Sequence, residues 1–203
     1  MNIISWVRLL WQQVIETGAL QWLSVLLGVI EVILARQNKV WLYPTGIAST
    51  IIAVYILFDA GLFAECLLNL YYIIMSLYGW WYWIKKKDYT AVKIRRCNKE
   101  EWLIVAGICG GGFLLLFIIL KYFTSSTVPL ADAWVSSTAW AGMWLLAKRK
   151  IENWILLNVS NFFAIPLLFY KQLPLYAFLT IFLFVVAVSG YVKWNRILKT
   201  EQQ

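Results

Sequence analysis

The sequence contains no histidine and few charged residues, and these shortages exclude several classes of protein. Without histidine among its 203 residues, the chain has no histidine-based metal site and no histidine acid–base chemistry. Its three cysteines, Cys66, Cys97 and Cys109, show neither metal-binding spacing nor a disulfide framework. The sequence has no Gly-x-x-x-x-Gly-Lys-Ser/Thr loop, which argues against a nucleotide-driven motor. We therefore expect no cofactor and no resident metal.

The abundant side chains are apolar. Hydrophobic residues make up 62% of the chain and charged residues 14%, with a mean hydropathy of +0.71. Soluble domains are about 45–50% apolar and about 25% charged. A soluble enzyme and a nucleic-acid-binding protein are therefore excluded, despite the formal net charge of +8. The composition predicts an all-α integral membrane protein whose surroundings are a lipid bilayer.

Hydrophobic stretches divide the chain into segments. A helix needs about 20 mostly apolar residues to cross a bilayer. Seven stretches are predicted to be transmembrane helices: 19–36, 41–58, 62–84, 102–123, 130–147, 153–170 and 174–194. In residues 1–18 the polar and apolar side chains fall on opposite helical faces, which indicates an amphipathic helix at the membrane interface. The connection 85–101 is long and basic, and 195–203 is a polar tail.

Lysine and arginine are distributed unevenly between the two sides of these spans. When the loops are counted alternately, fifteen basic residues fall on one side and three on the other. Because positive loops face the cytoplasm, the first span is predicted to start outside, with the 85–101 loop and the C-terminus in the cytoplasm. Seven tryptophans at the cytoplasmic ends of spans are interpreted as an interfacial belt: Trp41, Trp80, Trp81, Trp83, Trp102, Trp154 and Trp194.

The chain also contains an internal repeat. The segment 19–84 can be overlaid on 130–194 so that Trp41 meets Trp154 and Trp81 meets Trp194. The stretch 102–123 then becomes a linker helix between two three-helix units. Because one intervening span restores the orientation of the second unit, the two units are predicted to be parallel repeats in a 3+1+3 arrangement.

Polar side chains at membrane depth tend to face a cavity or another helix, and four faces carry them. We take as candidate substrate-binding residues Glu31 on the first span, Glu65, Asn69, Tyr72 and Ser76 on the third, Ser137, Trp140 and Trp144 on the fifth, and Asn158 and Asn161 on the sixth. Each has a structural alternative. An asparagine bonded across a helix interface contributes only about 0.6 kcal/mol, and serine can bond to its own helix. Glutamates near span ends can pair or snorkel.

These residue types indicate the chemistry of the ligand. Amides and hydroxyls suit a ligand rich in hydroxyl or carboxamide groups, and tryptophan and tyrosine faces suit a planar, cationic ring. Lysine and arginine are absent from the interior of the spans, which argues against an anionic substrate. The residues alone predict a transporter for a small uncharged or cationic solute, such as a nucleoside or a vitamin.

Three motifs resemble those of the PnuC family of nicotinamide riboside transporters. They are the run from Glu65 to Trp83 (ECLLNLYYIIMSLYGWWYW), the run from Lys148 to Trp154 (KRKIENW) followed by Asn158, and the run from Ser189 to Trp194 (SGYVKW). The resemblance extends from about residue 20 to residue 196, although related vitamin transporters share parts of these motifs.

The resemblance implies a SWEET-like 3+1+3 fold in the bacterial inner (cytoplasmic) membrane. It also implies import of nicotinamide riboside, an NAD precursor, by facilitated diffusion with alternating access, driven by downstream phosphorylation of the substrate. From their depth and helical faces, we then expect Tyr72, Trp140 or Trp144 to pack on the ring and Asn69, Asn158 and Asn161 to bond the ribose or the carboxamide. The family includes oligomers, and the sequence neither supports nor excludes a homo-oligomer.

Other functions compete with this interpretation. A related vitamin transporter for thiamine or riboflavin would share the architecture, and thiamine is also cationic and aromatic. A SWEET-type sugar transporter is less favoured, because the four prolines do not fall at matching positions of the repeat. An intramembrane enzyme would need a catalytic pair at depth, and the spans contain no paired carboxylates.

Overall fold

The chain is almost entirely helical in the computed structural model, which describes residues 3–85 and 93–200. Eight helices account for these residues: α1 (Ile3–Glu16), α2 (Ala19–Arg36), α3 (Leu42–Asp59), α4 (Phe63–Lys85), α5 (Lys99–Phe123), α6 (Pro129–Ala147), α7 (Asn153–Tyr170) and α8 (Pro174–Thr200). Each of the seven predicted stretches corresponds to one of the helices α2 to α8, and the predicted amphipathic segment corresponds to α1. The all-helical fold is confirmed. Much of the predicted basic loop (86–92) and the end of the predicted tail (201–203) lie outside the described residues.

Five of the described helices are long and apolar enough to cross a membrane, judged by length and composition. They are α2, α3, α5, α7 and α8. The other two long helices have 23 residues (α4) and 19 residues (α6); α4 contains four tyrosines, and α6 contains three tryptophans, two serines and a threonine. Many large apolar side chains are exposed on the helices, as a lipid solvent allows.

Six helices are joined in a closed ring. Helix α3 lies between α2 and α4, and α7 lies between α6 and α8. The ring closes where α4 contacts α6 and where α8 contacts α2, while α5 packs on α6 and α1 on α8. We refer to α2–α4 as the first half and to α6–α8 as the second half. The halves meet along two interfaces, α4 with α6 and α8 with α2.

Local sequence explains several helix ends. Asn98 caps α5 by accepting from the Glu101 amide at 2.8 Å, while the Glu101 carboxylate accepts from the Asn98 amide at 2.9 Å, a capping box. Pro129 opens α6, where its missing N–H has no consequence. The connector before α5 pairs with the α6–α7 turn, since the Arg95 amide donates to the Arg149 carbonyl at 3.2 Å.

Four turns within the two halves have the same backbone geometry. In each, a residue with positive φ follows the helix, and the next amide bonds back to a carbonyl five residues earlier, which is a Schellman motif. Asn38 and Arg149 occupy this position after α2 and α6, and Gly61 and Gln172 occupy it after α3 and α7. Asn38 and Arg149 are 111 residues apart, and Gly61 and Gln172 have the same separation.

Side-chain contacts recur at the spacing of these turns. The rings of Tyr43 and Trp83 meet edge to face at 5.3 Å, and those of Trp154 and Trp194 do so at 5.6 Å. This spacing makes Trp154 the counterpart of Tyr43 rather than of Trp41, so the predicted overlay is wrong by two positions. A two-residue shift rotates a helical position by about 200°, and overlaying identical aromatic letters does not detect that rotation.

Tyr43, Trp83, Trp154 and Trp194 form one aromatic cluster at the end of the ring where α2 and α6 terminate. Trp83 and Trp194 connect the halves, with ring centroids 6.4 Å apart. Because Trp83 is 6% exposed, Trp154 1% and Trp194 0%, the assignment of these three tryptophans to an interfacial belt is wrong. They face neighbouring helices instead of the bilayer surface. Of the other predicted belt residues, Trp41 is 67% exposed, and Trp80 is partly buried against the hydrophobic core that contains this cluster.

Helix α1 packs on the turn between α7 and α8. Gln13 donates to the Gln172 carbonyl at 2.8 Å and accepts from the Leu175 amide at 3.1 Å. This attachment leaves one apolar face of α1 uncovered within the described chain, and the exposed side chains are Ile4, Val7, Trp11 and Ile15.

Candidate functional site

A groove of about 420 Å³ lies between α7 and α8. Trp154, Asn158 and Phe162 line it from α7, one helical turn apart, and Val188 and Tyr191 line it from α8. Its size falls in the range of about 300–1,000 Å³ that is usual for small-molecule sites. Its walls are apolar and aromatic, with one amide side chain.

Gly190 sets the distance between the helices at this groove. A Cβ atom at Gly190 would lie 2.8 Å from the indole of Trp154, and one at Gly79 would lie 2.5 Å from the ring of Tyr43. The absence of a side chain at each position lets the aromatic ring pack directly on the facing backbone. Gly190 thereby holds Trp154 at the edge of the groove.

The groove has polar atoms that lack hydrogen-bond partners. Trp154 Nε1 and Asn158 Oδ1 are buried, and neither has a partner among the described residues. Asn153 is fully buried one residue before Trp154; its Nδ2 donates to the Lys150 carbonyl at 2.5 Å, while its Oδ1 also lacks a partner among the described residues. An unpaired buried polar atom costs about 1–3 kcal/mol, so two in one groove require an explanation.

Three predicted site residues on α6 lie away from this groove. Ser137 is fully buried against Gly112 of α5 and donates to the Trp134 carbonyl of its own helix at 3.1 Å. Trp140 stacks on Tyr71 of α4 at 4.4 Å, and its carbonyl accepts from the Tyr71 hydroxyl at 3.0 Å. Trp144 packs against the apolar contact between α5 and α6. Ser137, Trp140 and Trp144 are thus occupied by helix packing.

The remaining predicted residues are spread over α2, α4 and α7. Ser76 is 2% exposed, and Tyr72 meets Tyr71 edge to face at 6.2 Å. The carboxyl group of Glu31 packs over Gly46 of α3. Asn69 and Asn161 are half-buried on α4 and α7, and the side chain of Glu65 lies outside the described residues. Of the ten predicted residues only Asn158 lines the groove.

Trp154 and Tyr191 line the groove but are not among the predicted binding residues. The signal for Trp154 is its spacing of four residues from Asn158, which places both on one helical face. The predicted belt assignment obscured that signal. No three Cys, Asp or Glu side chains in the described segments are grouped as metal ligands, and no described residue forms a recognisable cofactor site.

A ring of long apolar helices with an aromatic groove defines a multi-pass helical membrane protein. The family described as "Nicotinamide mononucleotide transporter" matches residues 18–196, and the chain belongs to this family. It is therefore a transporter-family protein and not an enzyme, and the resemblance to the PnuC family is confirmed.

Known proteins of this kind are similar along most of their length. "Nicotinamide riboside transporter PnuC" of Escherichia coli (strain K12) is 21% identical over 193 residues, covering 82% of this chain and 81% of the relative. The protein of the same name from Shigella flexneri gives the same values. A crystal structure of the vitamin B3 transporter PnuC is 21% identical, covers 97% of this chain and 91% of the other, and has a TM-score of 0.70. The two chains therefore share a fold.

Proposed function

We propose that this protein imports nicotinamide riboside across the bacterial inner membrane. The observation that carries the proposal is the groove of Trp154, Asn158 and Tyr191 in a chain whose relatives are named as nicotinamide riboside transporters. Aromatic faces attract a cationic ring such as pyridinium. An amide side chain supplies both a donor and an acceptor for uncharged groups.

The groove favours the riboside over the mononucleotide, which differs from it by a phosphate. A phosphate is normally held by arginine, lysine or several backbone amides. The side chains around the groove are aromatic and aliphatic apart from Asn158 and contain no cation. Burying a charged group without a partner is strongly unfavourable. The family description mentions the mononucleotide, so the two ligands need to be compared directly.

We propose that α2 to α8 all cross the membrane as 3+1+3 parallel repeats, with α5 as the linker and α1 at the outer interface. The recurrence of turns and ring contacts at one common spacing supports this arrangement. So does the pairing of interfaces, since α4 contacts α6 as α8 contacts α2. From the distribution of basic residues we propose that the aromatic cluster lies near the cytoplasm.

We propose that transport proceeds by alternating access, in which the two halves separate at one end at a time. Three hydrogen bonds join the halves at the proposed cytoplasmic end. Trp83 Nε1 donates to the Ala147 carbonyl at 3.2 Å, and Trp194 Nε1 donates to the Ala35 carbonyl at 3.0 Å. Arg149 Nε donates to Asn38 Oδ1 at 2.8 Å, with its guanidinium 4.2 Å from the centre of the Trp83 ring. Opening toward the cytoplasm requires these bonds to break.

Uptake is proposed to be facilitated diffusion, with net import driven by phosphorylation of the substrate in the cytoplasm. The test is counterflow of labelled nicotinamide riboside into vesicles that contain the purified protein, with proton and sodium gradients collapsed. We expect saturable uptake that survives the collapse. Dependence on either gradient would disprove facilitated diffusion, and uptake of thiamine, riboflavin or sucrose in place of the riboside would disprove the assigned substrate.

The hydrogen bonds between the halves can be tested separately. Arg149→Gln and Asn38→Ala each remove the bond between the two turns while leaving the α7–α8 groove intact. We expect both variants to bind nicotinamide riboside and to change its transport rate. A rate equal to that of the unmodified protein in both variants would show that this contact does not control opening.

A further inference from the structure

Trp154 and Asn158 present an unpaired donor and an unpaired acceptor at the same groove. Trp154 is 1% exposed and its Nε1 has no partner among the described residues, and the same holds for the buried Oδ1 of Asn158. Their positions are four residues apart on α7, which places the two side chains on one face with Cβ atoms about 5–6 Å apart.

The missing partner of Trp154 is not shared by the other two tryptophans of the aromatic cluster. Trp83 and Trp194 are buried to a similar degree, and each donates its indole N–H to a helix carbonyl. Trp154 differs from both, although it packs edge to face on Trp194.

The first half of the molecule lacks this pair. At the spacing that relates Trp154 to Tyr43, the counterpart of Asn158 is Ile47. Isoleucine carries no acceptor, so the two halves share the aromatic contact but not the polar combination. The hydroxyl of Tyr43, at the position equivalent to Trp154, is also buried without a partner among the described residues, so what distinguishes the second half is the unpaired amide oxygen of Asn158 one turn away.

We propose that Trp154 and Asn158 together recognise a primary carboxamide. The carboxamide oxygen accepts from the indole N–H of Trp154, and the carboxamide NH₂ donates to Oδ1 of Asn158. Two hydrogen bonds of about 2.9 Å from side chains one turn apart can meet on one planar group. The proposal rests on the proposed function and deepens it, since it assigns which part of nicotinamide riboside these residues read.

The pair is covered when α7 and α8 are packed as in this structure. Gly190 holds the backbone of α8 against the Trp154 indole, and the exposed walls of the groove are mostly apolar side chains such as Phe162 and Val188. The ligand therefore reaches the two polar atoms once α8 draws away from α7, and its aromatic ring then lies among the aromatic side chains of the groove.

The test compares nicotinamide riboside with 3-acetylpyridine riboside, which keeps the carbonyl and replaces NH₂ by a methyl group. Because the analogue leaves Asn158 Oδ1 unpaired, we expect the unmodified protein to bind it about tenfold or more weakly. Asn158→Leu should abolish this preference. Trp154→Phe should weaken both ligands by a similar factor, since both carry the carbonyl.

Trp194→Phe is the matched control, because it removes an N–H whose partner is the Ala35 carbonyl and should leave the preference unchanged. Equal binding of the two ribosides by the unmodified protein would overturn the inference without requiring any variant to fold. Failure of that protein to bind either riboside would instead overturn the proposed function. A preference that survives Asn158→Leu would assign the NH₂ to another residue.

Discussion

The two halves of the molecule share their packing and differ in their chemistry. Each half has a Schellman turn after its first helix, and each has an aromatic ring packed on a glycine of its third helix, Tyr43 on Gly79 and Trp154 on Gly190. Each third helix also sends an indole N–H to the opposite half. The second half alone adds an amide one turn beyond its aromatic ring.

A second difference lies where the first two helices of each half cross. In the first half the carboxyl group of Glu31 packs over Gly46, whereas in the second half Leu157 packs over Gly142. The glycine lies on the second helix of the first half (α3) but on the first helix of the second half (α6). The larger side chain therefore comes from α2 at one crossing and from α7 at the other. The halves therefore maintain a close helix crossing with different residues.

The largest expected effect comes from filling the two glycine contacts of the aromatic rings. Gly79→Ala and Gly190→Ala should each destabilise the protein by about 1–3 kcal/mol, the usual range for overpacking, because the new methyl group would meet a buried ring. Thermal unfolding in detergent measures this. Gly107→Ala on α5 is the control, since no atom lies within 4 Å of its added Cβ. Equal stability of all three variants would refute the shared packing of the halves.

At the two helix crossings, substitutions of the glycine and of the side chain that packs over it should have coupled effects on stability. Gly142→Ala would place a methyl group 2.9 Å from the Leu157 side chain, and Leu157→Ala should relieve much of that destabilisation. Glu31→Ala should likewise relieve Gly46→Ala. Double-mutant cycles on unfolding free energies measure both couplings, which are expected at about 0.5–3 kcal/mol. Additive effects in either cycle would contradict the contact at that crossing.

Loss of an indole hydrogen bond between the halves should change the free energy of unfolding less than the glycine substitutions do. Trp83→Phe and Trp194→Phe should each lower the free energy of unfolding by about 1 kcal/mol through loss of a hydrogen bond, in addition to any loss of packing. Trp154→Phe has no such bond to lose, so its effect should be smaller than either. Chemical unfolding of the three variants side by side provides the measurement, and a larger loss for Trp154→Phe would contradict the assignment of its N–H as unpaired.

The connector before α5, which pairs with the α6–α7 turn of the second half, contains Cys97. We expect the smallest effect here, a change in the alkylation rate of the Cys97 thiol. Burial and, to a smaller extent, the neighbouring Glu152 carboxylate together raise the pKa of the Cys97 thiol to about 12. The thiol is therefore protonated at pH 8, and its alkylation rate should rise about tenfold per pH unit up to that pKa. Iodoacetamide labelling in a Cys66→Ala/Cys109→Ala background measures this rate. Glu152→Gln should speed labelling at pH 8, and no change would exclude an electrostatic contribution from Glu152.

Sequence patterns predicted the helices well, because runs of apolar residues and turns such as Asp59-Ala60-Gly61 leave few alternatives in a membrane protein. Turns and ring contacts do recur between the halves, but the predicted offset of the overlay is wrong, since several aromatic overlays compete in such a sequence. Contact with α5 involves Ser137 and Trp144, and helical periodicity does not reveal which neighbour a polar face meets. Asn158 is among the predicted binding residues because a polar side chain at membrane depth tends to face a cavity or another helix.

Titration calorimetry of the purified protein with nicotinamide riboside and with nicotinamide mononucleotide tests the central claim most directly. The groove of Trp154, Asn158 and Tyr191 contains no cation, so we predict that the riboside binds and that the mononucleotide binds about tenfold or more weakly, because its phosphate would lack a partner. Tighter binding of the mononucleotide, or no binding of the riboside, would contradict the account.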